Sequence, residues 1–194
     1  MLEQPDKQDG PSFECKCCGL CCERDPYYAV SLLDIRNIST ALGMSPMDFF
    51  NRFCDVVVTP GGFRYSVILA PNGCPFLKDK LCGIHFFKPI GCWVFPESSL
   101  LPVRDLKKHV NAIPTCGILE MQDDDRPLDT DFVVLAARDI HFECTKSYFD
   151  SHDTLDENSW REATDLLCAK LDDAEDIEKR AEAIRQKASS VATR

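Results

Sequence analysis

Ten residues of this chain, FECKCCGLCC at positions 13–22, contain five cysteines. Cys15, Cys18 and Cys21 follow one another at intervals of three, a spacing that lets three sulfur atoms point inward from one tight loop. Gly19 supplies a backbone position that can take the positive φ such a loop usually needs. Cysteines this close rarely reach disulfide geometry without strain, so the run favours a metal ion or an iron–sulfur cluster.

Four later cysteines lie beside glycine or proline, which frees the backbone to fold around an ion. With four from the N-terminal run they give eight candidate metal ligands: Cys15, Cys18, Cys21, Cys22, Cys74, Cys82, Cys92 and Cys116. Four thiolates complete one zinc site or one [4Fe–4S] cluster, and eight would complete two. Cys17 breaks the three-residue step and is expected to point away. The remaining three, Cys54, Cys144 and Cys168, are predicted to be buried core thiols.

The spacing of the first three cysteines matches the bacterial ferredoxin run C-x2-C-x2-C-x3-C-P. Asp25 occupies the position of the fourth cysteine, before Pro26. Either Asp25 is a ligand or a distant cysteine completes the cluster, and the four distant candidates favour the second alternative. The radical-SAM cysteine spacing and a Gly-rich phosphate loop are both absent.

Composition restricts the setting and the partners. A net charge of −10 and a pI of about 4.8 argue against a nucleic-acid partner. The N-terminus lacks the features of a signal peptide, and no apolar run reaches the length of a membrane span. We therefore expect a cytoplasmic protein with reduced thiols and no membrane association. Residues 71–110 carry a local positive excess, which is either a solvated face or a set of cations offsetting bound thiolates.

The pattern of elements predicts an α+β fold: a small irregular core organised by metal, a short β-hairpin, flanking helices and a long C-terminal helix. Residues 1–12 are predicted to be disordered, 13–150 to form the metal-binding domain, and 151–194 to be a helical extension packed on it. Helices are predicted over 31–42, from Ser45, and over 131–149, and a hairpin over 55–59 and 63–70. Residues 72–96 have little periodicity and are expected to be held by ligands rather than by regular hydrogen bonds.

The C-terminal stretch 156–190 is predicted to be an amphipathic helix, with a break allowed. Its alanine-rich face either docks on its own domain, which we favour, or forms a coiled coil with a second subunit. We expect a protein partner, and the coiled-coil alternative would give a dimer through this helix.

The chain resembles the CxxCxxCC-type (YkgJ-like) cysteine-cluster family, described as zinc- or iron-chelating. The resemblance lies in FECKCCGLCC, NGCPFL, CGIHFFKPIGCWVFP and PTCG, within residues 13–117. It implies the same eight cysteines as ligands. Its better-known relative is a flagellin lysine methylase. The family's aromatic-x-x-Arg-Pro is replaced here by residues 85–89, HFFKP, and Trp93 stands where arginine is expected, so an activity that needs those arginines is not implied.

These observations support an iron–sulfur protein, [4Fe–4S] in type, with a redox or structural role. The alternatives are a zinc-binding interaction module, an enzyme that modifies protein side chains, and a metal-handling protein. His85 is a further candidate for a ligand or proton carrier, whereas the other histidines are expected to be structural. Trp93 and Phe95 are expected to shield a cluster from water.

Overall fold

The computed structural model describes residues 10–13, 19, 22, 27–69, 73–96, 100–110 and 117–192. Within these ranges helices combine with small antiparallel sheets, so the predicted α+β class is confirmed. The strands are β1 (Tyr27–Ala29), β2 (Cys54–Val58), β3 (Arg64–Leu69), β4 (Leu77–Lys78) and β5 (Leu81–Cys82). The helices are α1 (Leu32–Ala41), α2 (Pro46–Phe53), α3 (Ile90–Trp93), α4 (Val103–Val110), α5 (Phe132–Phe149), α6 (Glu157–Leu171) and α7 (Ala174–Ala192). None of these helices is long and apolar enough to cross a lipid bilayer.

Helix α1 begins as the sequence predicts. The Ser31 hydroxyl accepts a hydrogen bond from the Asp34 N–H at 3.0 Å, and the Asp34 carboxylate accepts one from the Ser31 N–H at 2.8 Å. These reciprocal bonds form a capping box. Leu32 and Ile35 are at most 1% exposed and form part of the buried face. Gly43 ends the helix with a φ of 67°, a conformation that costs glycine little.

Helix α2 is also confirmed. The Ser45 hydroxyl accepts from the Asp48 N–H at 3.0 Å, and Pro46 occupies the first turn, where its missing N–H is not needed. Phe49 and Phe50 are buried against the same core as α1. The pair α1–α2 therefore packs into the main core.

The main sheet has the order β1–β3–β2, with all neighbours antiparallel. The predicted hairpin is confirmed as β2 and β3, with Cys54 opposite Ile68. Strand β1 adds a third strand at the other edge, with Tyr28 also opposite Ile68. It was not expected, because YYA is too short to show an alternating pattern. Pairing with β3 therefore holds the chain at residues 27–29, shortly after the cysteine run.

The C-terminal stretch is two helices, α6 and α7, which are separated at Asp172 and Asp173. Ala181 and Ala188 of α7 are at most 1% exposed and pack with Phe132 of α5. Small side chains at these positions let the two helices lie close together. The alanine face therefore docks on its own chain, the alternative that we favour on sequence grounds. The dimer through this helix stays a prediction.

The segment that leads into the cysteine run lies against the middle of the chain. The Pro11 carbonyl accepts a hydrogen bond from the Asp129 N–H at 3.0 Å. Phe13 packs on a small core that contains Val103 of α4 and Ile118. Residue 13, where the cysteine run begins, is therefore held beside α4. Residues 1–9, part of the segment predicted to be disordered, lie outside the described residues.

Candidate metal centre

A two-stranded hairpin, β4–β5, carries one candidate ligand and adjoins another. Leu77 pairs with Cys82 across the hairpin, and the Leu77 N–H donates to the Cys74 carbonyl at 3.0 Å. Asp79 and Lys80 form the connecting turn with φ values of 51° and 65°. Two successive left-handed residues are what a tight two-residue hairpin turn requires. Local backbone geometry alone therefore brings the Cys74 turn beside Cys82.

This hairpin corrects one expectation. Residues 72–96 were expected to be held by ligands rather than by regular hydrogen bonds, yet the hairpin is a regular ladder closed by a bond from the Gly83 N–H to the Phe76 carbonyl at 2.8 Å. The strands are only two residues long, too short for a period of two to be visible in the sequence. The β4–β5 hairpin is therefore held by its own backbone hydrogen bonds, which position Cys82 before any metal binds.

Cys92 lies on the short helix α3, which is tied to helix α1. The Asp34 carboxylate accepts a hydrogen bond from the Ile90 N–H at 3.1 Å, in addition to its capping bond with Ser31. The Cys92 N–H donates to the Pro89 carbonyl at 2.8 Å. One buried carboxylate thus joins the start of α1 to the start of the cysteine-bearing turn.

The thiols of Cys74 and Cys82 lie within electrostatic reach of the Cys92 thiol. Burial raises the pKa of the Cys92 thiol to about 12, and Cys74 and Cys82 act in the same direction. A thiol with so high a pKa stays protonated in water, but a bound metal displaces the proton and stabilises the thiolate. The donor set therefore fits a soft metal, whose charge would offset the mutual repulsion of these thiolates.

One nearby cation lowers the pKa of the Cys92 thiol, in opposition to burial. Lys88 is close enough to Cys92 to lower its pKa, although burial outweighs this effect. Arg104, Lys107 and Lys108 instead form salt bridges with aspartates. Lys88 therefore lies near the Cys92 thiol, whereas Arg104, Lys107 and Lys108 pair with carboxylates, and the offsetting of bound thiolates stays a prediction.

Two backbone contacts connect the cysteine run to this cluster. The Cys22 carbonyl accepts from the Cys74 N–H at 2.8 Å and also from the Tyr28 hydroxyl. Gly19 has a φ of 77°, as its place in a tight loop predicts, and a Cβ built on it would lie 3.3 Å from the Cα of Lys80. Cys22 therefore lies against the residues that precede β4, and Gly19 lies against the turn between β4 and β5.

The tight fit at Gly19 gives a testable prediction. We expect Gly19→Ala to lower the free energy of unfolding by about 1–2 kcal/mol, because alanine is strained at a left-handed φ. It should also weaken metal binding, because the new methyl group presses on Lys80 and displaces the run from the hairpin. Urea unfolding and competition with a chelator measure the two effects.

Gly43→Ala is the matched control, because Gly43 has a φ of 67° and nothing within 4 Å of its added Cβ. It should lose similar stability and keep the metal affinity of the wild type. Unchanged metal affinity in Gly19→Ala would show that the close approach has no bearing on the centre.

A buried polar group supports the α1 end of this arrangement. The Ser31 hydroxyl and His141 Nδ1 are 2.8 Å apart, and the Leu32 N–H donates to the Thr145 hydroxyl at 3.0 Å. Burial lowers the pKa of His141 to about 4, so the imidazole is neutral at pH 7. Burial also raises the pKa of Asp34 to about 6, against the effect of its hydrogen bonds. Helix α5 thereby holds the capping box that reaches the Cys92 segment.

The neutral state of His141 predicts a pH dependence. Its folded pKa lies below its unfolded value of about 6.5, so its contribution is complete above pH 6.5 and is lost as the pH falls toward 4. Relative to His141→Gln, the wild type should lose about 3 kcal/mol of stability between pH 6.5 and pH 4. The raised pKa of Asp34 acts in the opposite sense but is common to both proteins. Urea unfolding at several pH values gives this difference, and a difference independent of pH would contradict the assignment.

The eight predicted ligands divide into two groups. Cys74 and Cys82 lie within electrostatic reach of Cys92, and the Cys22 carbonyl accepts a hydrogen bond from the Cys74 N–H. The other four, Cys15, Cys18, Cys21 and Cys116, lie outside the described residues, as do Cys17 and Asp25. Among the described residues, no three Cys, His, Asp or Glu side chains are arranged to bind a metal ion by themselves.

The three cysteines predicted to be core thiols are placed apart from this cluster. Cys144 is 8% exposed and belongs to the main core, and Cys54 packs on that core. Burial raises the pKa of the Cys54 thiol to about 12. The Cys168 sulfur accepts a hydrogen bond from Arg36 at 3.4 Å. Cys144 is a buried core thiol as predicted, whereas Cys54 and Cys168 are half-buried.

The aromatic residues around Cys92 do not shield it as expected. Trp93 is 52% exposed and Phe95 is 45% exposed, whereas Val94 between them is 6% exposed. Because the three side chains of this turn cannot all point inward, only the aliphatic one, Val94, is buried. His85 is exposed and contacts the Trp93 ring, with centroids 6.2 Å apart.

Two positioning residues had no signal in the sequence. Tyr28 holds the Cys22 carbonyl from a strand of three residues, and Asp34 reaches Ile90 across 56 positions of chain. Asp34 is predictable as a capping residue, but its second bond depends on tertiary structure.

Comparison with known proteins gives two results. A family model named CxxCxxCC, with the description "Putative zinc- or iron-chelating domain", matches residues 14–117. A curated relative, the uncharacterized protein MJ0939 of Methanocaldococcus jannaschii, is 25% identical over 114 residues, which are 54% of this chain and 38% of the relative. The chain thus spans well under half the length of that relative. No solved structure matches the chain significantly.

Proposed function

The chain belongs to the CxxCxxCC family of zinc- or iron-chelating domains, and from that premise we propose that this metal-binding protein holds a [4Fe–4S] cluster. One observation carries the proposal: Cys74 and Cys82 act electrostatically on the Cys92 thiol, and the Cys22 carbonyl accepts a hydrogen bond from the Cys74 N–H. We propose that the rest of the run, whose spacing resembles that of a ferredoxin, reaches these thiols as well.

The ligands of the proposal are drawn from the eight predicted cysteines: Cys15, Cys18, Cys21, Cys22, Cys74, Cys82, Cys92 and Cys116. The described part of the chain supplies Cys74, Cys82 and Cys92 but no complete site, so at least one ligand has to come from the cysteine run or from Cys116. When bound, the cluster supplies one-electron transfer or structural support. The chain's residues hold the thiols, and Lys88 offsets their charge. We place this protein in the cytoplasm, with a protein partner.

Elemental analysis and an absorption spectrum of anaerobically purified protein test the proposal. We expect about four iron atoms and four sulfides per chain and a brown colour, with broad absorption near ~400 nm. Cys168→Ser should leave both unchanged, because Cys168 lies apart from the cluster and accepts a hydrogen bond from Arg36. A colourless protein with stoichiometric zinc would contradict the cluster.

The second candidate is a structural zinc site in an interaction module. It is favoured by the β4–β5 hairpin, whose tight turn sets Cys74 and Cys82 beside each other without an inorganic core. Zinc would then stabilise the fold by on the order of 10 kcal/mol per site at neutral pH, and a chelator would unfold the centre. A fold that survives full removal of zinc contradicts this candidate. Side-chain modification and metal handling stay predictions.

A further inference from the structure

A cavity of about 780 Å³ opens beside the candidate metal centre but is separate from its thiols. It lies between α1, the 3-10 turn His85–Phe87, α3 and the N-terminal end of α5, and none of the described cysteines lines it. Ile90, Trp93 and Val94 line it, and these residues flank Cys92. A ligand in this cavity would therefore lie against the segment that carries a predicted metal ligand.

The ionisable groups that line the cavity are predominantly acidic. Asp34, Asp129 and Asp131 contribute carboxyl groups, and Lys88 is the cation among the described lining residues. His141 also lines the cavity and is neutral at pH 7, because burial lowers its pKa to about 4. The cavity therefore favours a positively charged occupant.

The Asp129 carboxylate would be stabilised by a nearby positive charge. Its Oδ1 is buried and has no hydrogen-bond partner among the described residues. No hydrogen bond from the described residues offsets the charge at this oxygen, so a cation in the cavity would stabilise the carboxylate through its charge. The carboxylate of Asp131 differs, because it already accepts from the N–H groups of Val133 and Val134. That cap also satisfies the end of α5 that would otherwise attract an anion.

The mouth of the cavity is aromatic and exposed. Phe86 is 82% exposed, Phe87 is 50% exposed and Trp93 is 52% exposed. The Nζ atom of Lys88 lies 4.5 Å from the centroid of the Trp93 ring, so this wall already accepts an ammonium group. Aromatic faces beside carboxylates are the surroundings in which proteins bind organic cations.

We propose that this cavity binds a small organic cation, an ammonium group on an apolar stem, with its charge toward Asp129 and its stem against Phe86, Phe87 and Trp93. The cation would bind next to the metal centre, beside Cys92, whichever metal the centre holds.

Three probes of equal length and different charge test the proposal: butylammonium, butan-1-ol and butyrate. Each is titrated into the full metal-loaded chain while the indole N–H signals are followed by NMR. The two tryptophans serve as site and control, because Trp93 lines the cavity and Trp160 is 8% exposed in the core. We expect butylammonium to shift the Trp93 signal, to leave Trp160 unchanged, and to bind about tenfold more tightly than the other two probes.

Variants then assign the contacts. Asp129→Asn keeps the side-chain shape and should weaken butylammonium about tenfold, whereas Asp165→Asn, at an exposed position on α6, should not. Phe86→Ala, at a position exposed enough to leave the fold intact, should also weaken it. Butyrate binding as tightly as butylammonium, no probe shifting Trp93, or equal losses in the two aspartate variants would each overturn the proposal. Metal content measured on the same samples separates this outcome from failure of the metal centre.

Discussion

Cys92→Ser is expected to remove most of the metal from the purified protein. The half-buried Cys92 thiol lies within electrostatic reach of Cys74 and Cys82, so we expect it to contribute its thiolate to a centre that they share. Serine keeps the size of the side chain but replaces a soft ligand with a hydroxyl that is protonated at neutral pH. Changing a group that merely supports a ligand costs about 10–100-fold in metal affinity, and loss of the ligand itself should exceed this range.

Metal per chain and chelator competition measure this effect, and two cysteines outside the ligand set provide controls. Cys82→Ser should behave like Cys92→Ser, because both thiols belong to the cluster. Cys168→Ser should retain the metal, and Cys54→Ser should lose stability through its buried position while retaining the metal. Retention of a full complement of metal by both Cys82→Ser and Cys92→Ser would remove these residues from the centre.

Phe49→Ala is expected to lower the free energy of unfolding by about 3–5 kcal/mol, the range for truncating a buried phenylalanine. Phe49 is fully buried, and its ring centroid lies 5.4 Å from that of Phe53 and 6.2 Å from that of Phe76. Phe76 also accepts the hydrogen bond that closes the β4–β5 hairpin. The cavity left by Phe49 should therefore weaken both the core and the packing of the metal-bearing segment, which urea unfolding and metal affinity report separately.

Phe63→Ala is the matched control, since Phe63 is 58% exposed and the Lys146 Nζ atom lies over its ring, 5.6 Å from the centroid. Its loss should stay within about 0.5–1 kcal/mol, as for most surface substitutions. If the two variants unfold at similar urea concentrations, the aromatic cluster is not what supports the hairpin.

Local signals predict the helices of this protein well. Ser31 with Asp34, Ser45 with Pro46, and Asp131 each supply a cap whose chemistry is complete within four residues, and all three helices begin there. These caps need no tertiary contact to be recognised. The same holds for Gly19, whose positive φ follows from a tight loop.

Features that depend on distant contacts could not be predicted. Strand β1 and the β4–β5 hairpin are too short for periodicity, and Asp79 and Lys80 take left-handed conformations that their residue types do not indicate. The exposure of Trp93 also depends on which side of α3 faces the core. For the centre, residue types and neighbouring turns select Cys74, Cys82 and Cys92, but only their positions show that Cys74 and Cys82 act electrostatically on Cys92.

The central claim is that cysteines from separate stretches of chain bind one inorganic centre. X-ray absorption at the metal edge of anaerobically purified protein tests it most directly, because the first coordination shell reports ligand type and distance. The account predicts a first shell of sulfur at about 2.3 Å, with an additional iron–iron distance if the centre is a cluster. A first shell of oxygen or nitrogen, or a protein that carries no metal above background, would contradict it.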